Sequence, residues 1–213
     1  MDELTSLKLE TLLDRVADRA PTPGGGSVAA TAGALACALA RMAAAYSVNQ
    51  RTPSDQRKRI DDTAAKLRRV DELLRALITR DATVYAAMTA AAKATKDDPA
   101  AGPARERAVL DALAVPMQTA ALASQALTLM DEMKEVTNPY LLSDLGVAAV
   151  LAGATAKASR YMVLVNAAEV GSPAVRDKLL AESDAILRHC AARAEAVEAF
   201  VERYLQDRLV AVR

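Results

Sequence analysis

Residues 21–48 read PTPGGGSVAATAGALACALARMAAAYSV. Two prolines and three successive glycines break the chain at 21–26. The stretch beyond them is rich in alanine, the residue that loses least on entering a helix. From Val28 to Val48 the run is nearly long enough to cross a membrane, but it is mostly alanine and carries Arg41. A buried core helix is the better reading.

The same bias runs through the chain. Of 213 residues, 49 are alanine, so small helix formers dominate; aromatics make up only 3%, with no Trp, 8 Gly and 8 Pro. Few β-branched and aromatic residues argue against a sandwich or barrel. An apolar share of 52% supplies a core and argues against disorder. The expectation is one all-α domain over 1–213, a bundle of long antiparallel helices.

Charge excludes more. There are 27 Lys+Arg and 27 Asp+Glu, a net charge of zero, whereas nucleic-acid binders carry a basic excess. Residues 51–80 lean basic but interleave acids, the pattern of a solvated helix face. Cys37 and Cys190 have no spacing that suggests a disulfide or zinc site. The acidic start Met1-Asp2-Glu3-Leu4 has no apolar leader segment. These features point to a cytoplasmic protein with neither a nucleic-acid nor a membrane partner.

Prolines mark the helices. The first helix is expected over about 5–19 and the second over about 27–48. Thr52-Pro53 opens a long helix to about 95, a polar loop occupies 96–103, and Pro116 should kink or split the helix of 104–136. Asn138-Pro139 and Ser172-Pro173 open two more, the last over 174–211. In each of these pairs the first residue can cap the helix, and Pro at the first helical position wastes no N–H.

Three polar residues interrupt apolar patterns. Leu67, Val70, Leu74, Leu77, Asp81, Val84 and Met88 step by three and four, so Asp81 occupies an apolar seam, with Tyr85 one turn on. A carboxylate there is costly unless paired or functional. Asp144 sits beside Ser143 in the second turn of a helix whose segment Tyr140–Leu151 is otherwise apolar and is expected to be buried all round. An acid there suits the helix dipole, and burial adds a functional reading. Asn166 needs a buried partner. It lies 22 residues beyond Asp144, about 33 Å along a helix, so the two share a site only if the helix breaks or two subunits contribute.

The run Pro23-Gly24-Gly25-Gly26-Ser27 precedes a helix whose free N–H groups can receive an anion or a polar ring. The spacing is neither a P-loop nor a dinucleotide fingerprint. Three glycines exceed the needs of a turn, which favours a ligand role.

With these residues in view, the sequence resembles the cyclodeaminase domain of formiminotransferase-cyclodeaminase, whose stand-alone relatives include methenyltetrahydrofolate cyclohydrolases. The likeness runs nearly end to end. It rests on Ala20–Ala30 with the glycine run, Asp81 with Tyr85, Val115-Pro116, Asn138, and Ser143-Asp144-Leu145-Gly146 leading to Val165-Asn166. Ala45 and Tyr140 stand where relatives usually carry Asn.

The resemblance implies a homodimer of long helices acting on a tetrahydrofolate one-carbon derivative. The reaction is hydrolysis of 5,10-methenyltetrahydrofolate to 10-formyltetrahydrofolate or, alternatively, deamination of formiminotetrahydrofolate. A helical binding protein that has lost catalysis is a third possibility. No metal or other cofactor is implied. A ferritin-type metal site is disfavoured, because His189 is the only histidine and no Glu-x-x-His exists. Asp144, Asp81 and Tyr85 are the catalytic candidates. Pro23, Gly24, Gly25, Gly26, Ser27, Asn138, Ser143 and Asn166 are the substrate-binding ones.

Overall fold

A computed structural model describes residues 3–211, and no strand occurs among them. Six α-helices carry the fold: α1 (Leu9–Ala17), α2 (Gly25–Tyr46), α3 (Ser54–Asp97), α4 (Gly102–Met133), α5 (Leu142–Ala167) and α6 (Pro173–Ala211). Short 3-10 turns occupy Leu4–Ser6, Pro99–Ala101, Lys134–Val136 and Pro139–Leu141.

Neighbours α3, α2, α5 and α6 pack in that order, and α4 packs across α3, α5 and α6. Contacts fix the directions. Ser27 of α2 bonds Asp81 of α3, while Arg41 bonds Asp71. One number rises as the other falls, so the pair is antiparallel. Gly25 lies against Met162 and Gly33 against Thr155, so α2 and α5 are antiparallel too.

Alanine makes the close approach possible. Ala30, Ala36, Ala40, Ala43, Ala44, Ala148 and Ala149 are fully buried, with Leu67, Leu74, Leu127 and Met130 filling what remains. At Gly33 a Cβ would stand 3.1 Å from Thr155 and 3.2 Å from Leu74, tighter than ordinary packing, so this crossing needs glycine for space.

Several boundaries differ from expectation. The first helix splits into a 3-10 turn and α1. The polar segment 96–103 is mostly helical. Thr52 does not cap α3; Pro53 is the N-cap, and Thr52 accepts from the Asn49 N–H instead. Ser172 does accept from Val175, at the start of α6.

Pro116 neither ends nor splits α4, which continues through it. Proline lacks an N–H, so the carbonyl of Ala112, four residues back, has no helical donor. The Asn166 amide Nδ2 donates to that carbonyl at 3.1 Å. A side chain from α5 thus replaces the bond that Pro116 removes.

The expectation that α5 is buried all round is overturned. Its exposed stripe includes Val147 (53%), Tyr161 (66%) and Val165 (65%), and α2 adds Leu35 (59%). Gly25–Tyr46 and Pro139–Ala167 are long and apolar enough to cross a membrane, yet half of each apolar window is buried within the bundle.

Candidate functional site

The sequence motifs gather at one end of the bundle. The N-terminus of α2, the middle of α3 and the C-terminal end of α5 surround a cavity of about 150 Å3. Its lining includes Gly24, Gly25, Gly26, Asp81, Tyr85 and Asn166, six of the residues singled out from sequence. Thr22, Met88, Ala112, Met162 and Val165 complete much of the wall; Thr22, Met88 and Val165 fall within the sequence motifs without marking themselves as site residues, and Ala112 and Met162 stand outside them.

Asp81 is the chemical centre. Its Oδ2 accepts from the Ser27 N–H at 2.9 Å and lies 3.1 Å from the Ser27 hydroxyl. Gly24, the N-cap of α2, offers no side-chain cap, so Asp81 caps that helix from α3. Gly26 is required by the same contact. A Cβ there would lie 2.0 Å from Asp81 Oδ1 and 2.5 Å from its carboxyl carbon. The seam that Asp81 interrupts in the sequence is therefore a seam met by a helix terminus.

Two forces act on the Asp81 proton. Burial pushes the carboxyl above its ordinary range, while the Ser27 hydroxyl and N–H pull it down; burial dominates. Among the described residues no Arg, Lys or His lines the cavity. The result is a half-buried carboxyl without a cationic partner, in a mostly apolar recess, at the positive end of a helix dipole.

Asp71, one helix position that sequence reasoning missed, makes the contrast. It is buried too, but Arg41 and Arg75 each bond it at 2.8 Å. That cluster ties α2 to α3 and neutralises the carboxylate with two cations, which Asp81 lacks. Nothing in the seam periodicity separates Asp71 from an ordinary surface acid.

The remaining candidates lie elsewhere. Pro23 is buried just outside the cavity, and Ser27 sits behind the carboxylate. Asn138, Ser143 and Asp144 belong to the opposite end of α5. There the Asn138 amide donates to the Tyr46 carbonyl at 3.0 Å and accepts from the Tyr140 N–H at 3.1 Å, so both ends of its side chain are engaged. Asp144 is half-buried in the first turn of α5, and Ser143 is exposed beside it.

Larger grooves exist, about 550 Å3 between α5 and α6 and about 610 Å3 between α2 and α3. Alanines and long charged side chains line them. Among the described residues no group of three His, Cys, Asp or Glu is placed to hold a metal ion. Both cysteines are buried free thiols; burial pushes that of Cys37 up to about 12.

The family model for formiminotransferase-cyclodeaminase matches residues 8–185, most of the chain and every element of this site. The chain belongs to that family. It is 28% identical over 193 residues to a methenyltetrahydrofolate cyclohydrolase of Methylorubrum extorquens, covering 89% of this chain and 93% of that one. Against the rat formimidoyltransferase-cyclodeaminase it is 29% identical over 202 residues, 91% of this chain but 37% of the relative's length. The fold agrees with a formiminotetrahydrofolate cyclodeaminase from Thermotoga maritima, at a TM-score of 0.87 and 26% identity over 95% of this chain and all of that one. In this member of the family the glycine run and Asp81 meet in one contact, and Asn166 bonds the Ala112 carbonyl that Pro116 leaves without a helical donor.

Proposed function

We propose that the chain hydrolyses 5,10-methenyltetrahydrofolate to 10-formyltetrahydrofolate and works as a homodimer. One observation carries the proposal: the cavity presents an unpaired, half-buried carboxyl with no cation beside it among the described residues. The methenyl bridge is a delocalised cation flanked by two nitrogens. An ionised carboxylate in a recess of low polarity stabilises such a charge far better than water does.

The chemistry is simple. A water oxygen bonds to the methenyl carbon and gives up a proton to a carboxylate. The carboxyl then returns that proton to N5 as the bond from the carbon to N5 breaks, and the added hydroxyl releases its remaining proton to solvent, leaving a neutral formyl group on N10. Tyr85 lines the same recess, where its hydroxyl can orient the water.

The cavity of about 150 Å3 is below the ~300–1,000 Å3 of sites that enclose a small ligand. A second copy supplies the rest. The exposed stripe of α5, apolar except for Ser143 at its start and Lys157 near its middle, runs from Ser143 to Val165 and joins the two groups of candidate residues. A two-fold axis crossing the middle of α5 lays this stripe on its copy, antiparallel. Asp144 and Ser143 of one subunit then reach the Asp81 cavity of the other, across the span of about 33 Å that separates them within one chain. Asp81 steadies the cation, and Asp144 of the partner subunit takes the water proton.

The likeness to the Thermotoga maritima enzyme favours a second reading, deamination of formiminotetrahydrofolate. Loss of methenyltetrahydrofolate absorbance in the near ultraviolet, run beside ammonia release from formiminotetrahydrofolate, separates the two. Faster loss than in buffer, without ammonia release, supports hydrolysis. Ammonia release supports the second reading, and neither activity overturns both in favour of a non-catalytic protein.

A further inference from the structure

The Ser27 hydroxyl has one proton and two acceptors. It lies 2.8 Å from the carbonyl of Ile78 and 3.1 Å from Asp81 Oδ2. The Ile78 carbonyl belongs to α3 and has a second lone pair to spare beyond its helical bond. Ser27 itself is buried, so no water competes for the proton.

These distances describe two arrangements. With Asp81 protonated, the serine proton goes to Ile78, and the serine lone pairs face Oδ2, where they accept the carboxyl proton. With Asp81 ionised, the serine proton turns to Oδ2, because a bond to a charged acceptor is the stronger. The Ser27 N–H donates to Oδ2 in both. We infer that Ser27 is a positioning residue that sets the proton affinity of Asp81, its one hydroxyl proton turning from the Ile78 carbonyl to Oδ2 when the carboxyl loses its own proton to solvent.

Nothing else nearby performs this task. The preceding loop and α2 present Thr22 and glycines, α4 presents Ala112, and α5 presents Met162, Val165 and the Asn166 amide. None of these ionises. Among the described residues Tyr85, on α3 itself, is the only other titratable group in the lining. Burial pushes the Asp81 carboxyl up and the Ser27 hydroxyl pulls it down, so loss of that one donor moves its proton affinity further up. Resting on the hydrolase reading, the consequence is that arrival of the methenyl cation expels the Asp81 proton and the hydroxyl turns after it.

The test reads Asp81 directly. In protein labelled with 13C at Asp carboxyl carbons, the resonance missing from Asp81→Asn identifies the group, and its titration is followed with no folate present. Ser27→Ala should move that titration upward by about one pH unit, roughly a tenfold gain in proton affinity. Ser27→Thr, which keeps the hydroxyl, should return it to the wild-type position. Ser27→Cys, nearly isosteric with a weak donor, should shift it in the same direction as alanine, and serves if the alanine variant melts early. An unmoved titration in both the alanine and cysteine variants overturns the inference. The acid limb of the pH–rate profile should move in step. A carboxyl that shifts while the limb stays put upholds the role of Ser27 and overturns the catalytic reading of Asp81.

Discussion

Gly26→Ala places one methyl group into the contact on which the site depends. The added Cβ falls 2.0 Å from Asp81 Oδ1, 2.5 Å from the carboxyl carbon and 2.8 Å from Oδ2, all closer than real carbon contacts allow. The carboxylate is the end of a flexible side chain, so it swings aside, and the steric cost is small. What is lost is its bonding to Ser27, at 2.9 Å from the N–H and 3.1 Å from the hydroxyl. Two such bonds are worth about 2–3 kcal/mol together. Alanine in a helix returns about 1 kcal/mol relative to glycine. The net loss is about 1–2 kcal/mol, a fall of roughly 2–8 °C in Tm for a chain of this size. Turnover should fall at least about 100-fold, the usual worth of a positioned acid–base group. Gly102→Ala is the control: nothing lies within 4 Å of its added methyl, so the same change should raise Tm slightly, by about 1–3 °C, and leave turnover alone. Thermal melts and the absorbance assay on both variants are sufficient. A Gly26→Ala protein with wild-type melting and turnover would refute the claim that Asp81 works from this position.

Two further substitutions probe the neighbouring contacts. Asn166→Ala should cost about 1–3 kcal/mol, because it leaves the Ala112 carbonyl unpaired beside Pro116. In a Pro116→Ala background the helix supplies its own N–H, so that cost should largely vanish. A denaturant double-mutant cycle measures it, and additive costs would contradict the pairing. Asp81→Asn should stabilise the protein at neutral pH while abolishing turnover. The folded-state pKa of Asp81 is raised above the unfolded one, so stability is greatest below the unfolded value and declines as pH rises through the folded value. The gain from asparagine should therefore appear above that window and fade on acidification, as read from melts across pH.

The helices are legible in the sequence because alanine content and proline punctuation act locally. Pro139 and Pro173 mark helix starts by a mechanism that needs no tertiary partner. Asp81 stands out because a seam of threes and fours has no place for a charge. Its partner is hidden, since Ser27 and the N–H groups of α2 are brought to it by a helix crossing. Pro116 misleads for the same reason: its missing bond is made good by Asn166 from another helix, and no local rule contains that. The apolar face of α5 reads as core and is not. Sequence reports how much apolar surface a helix carries, but not whether the same chain or a second copy covers it. Asp71 is inconspicuous because its i,i+4 pair with Arg75 reads as an ordinary solvated helix face, and Arg41, which meets it from α2, is brought there by a helix crossing.

The proposed division of the site between two subunits is open to one decisive measurement. Purified Asp81→Asn and Asp144→Asn proteins, each nearly inactive, are mixed, allowed to exchange subunits, and assayed for methenyltetrahydrofolate hydrolysis. In a mixed dimer one site carries both substitutions and the other carries neither. Random exchange should then restore about a quarter of wild-type turnover, half of the dimers having one intact site of two. No recovery after verified exchange would contradict a site built from Asp81 of one subunit and Asp144 of its partner.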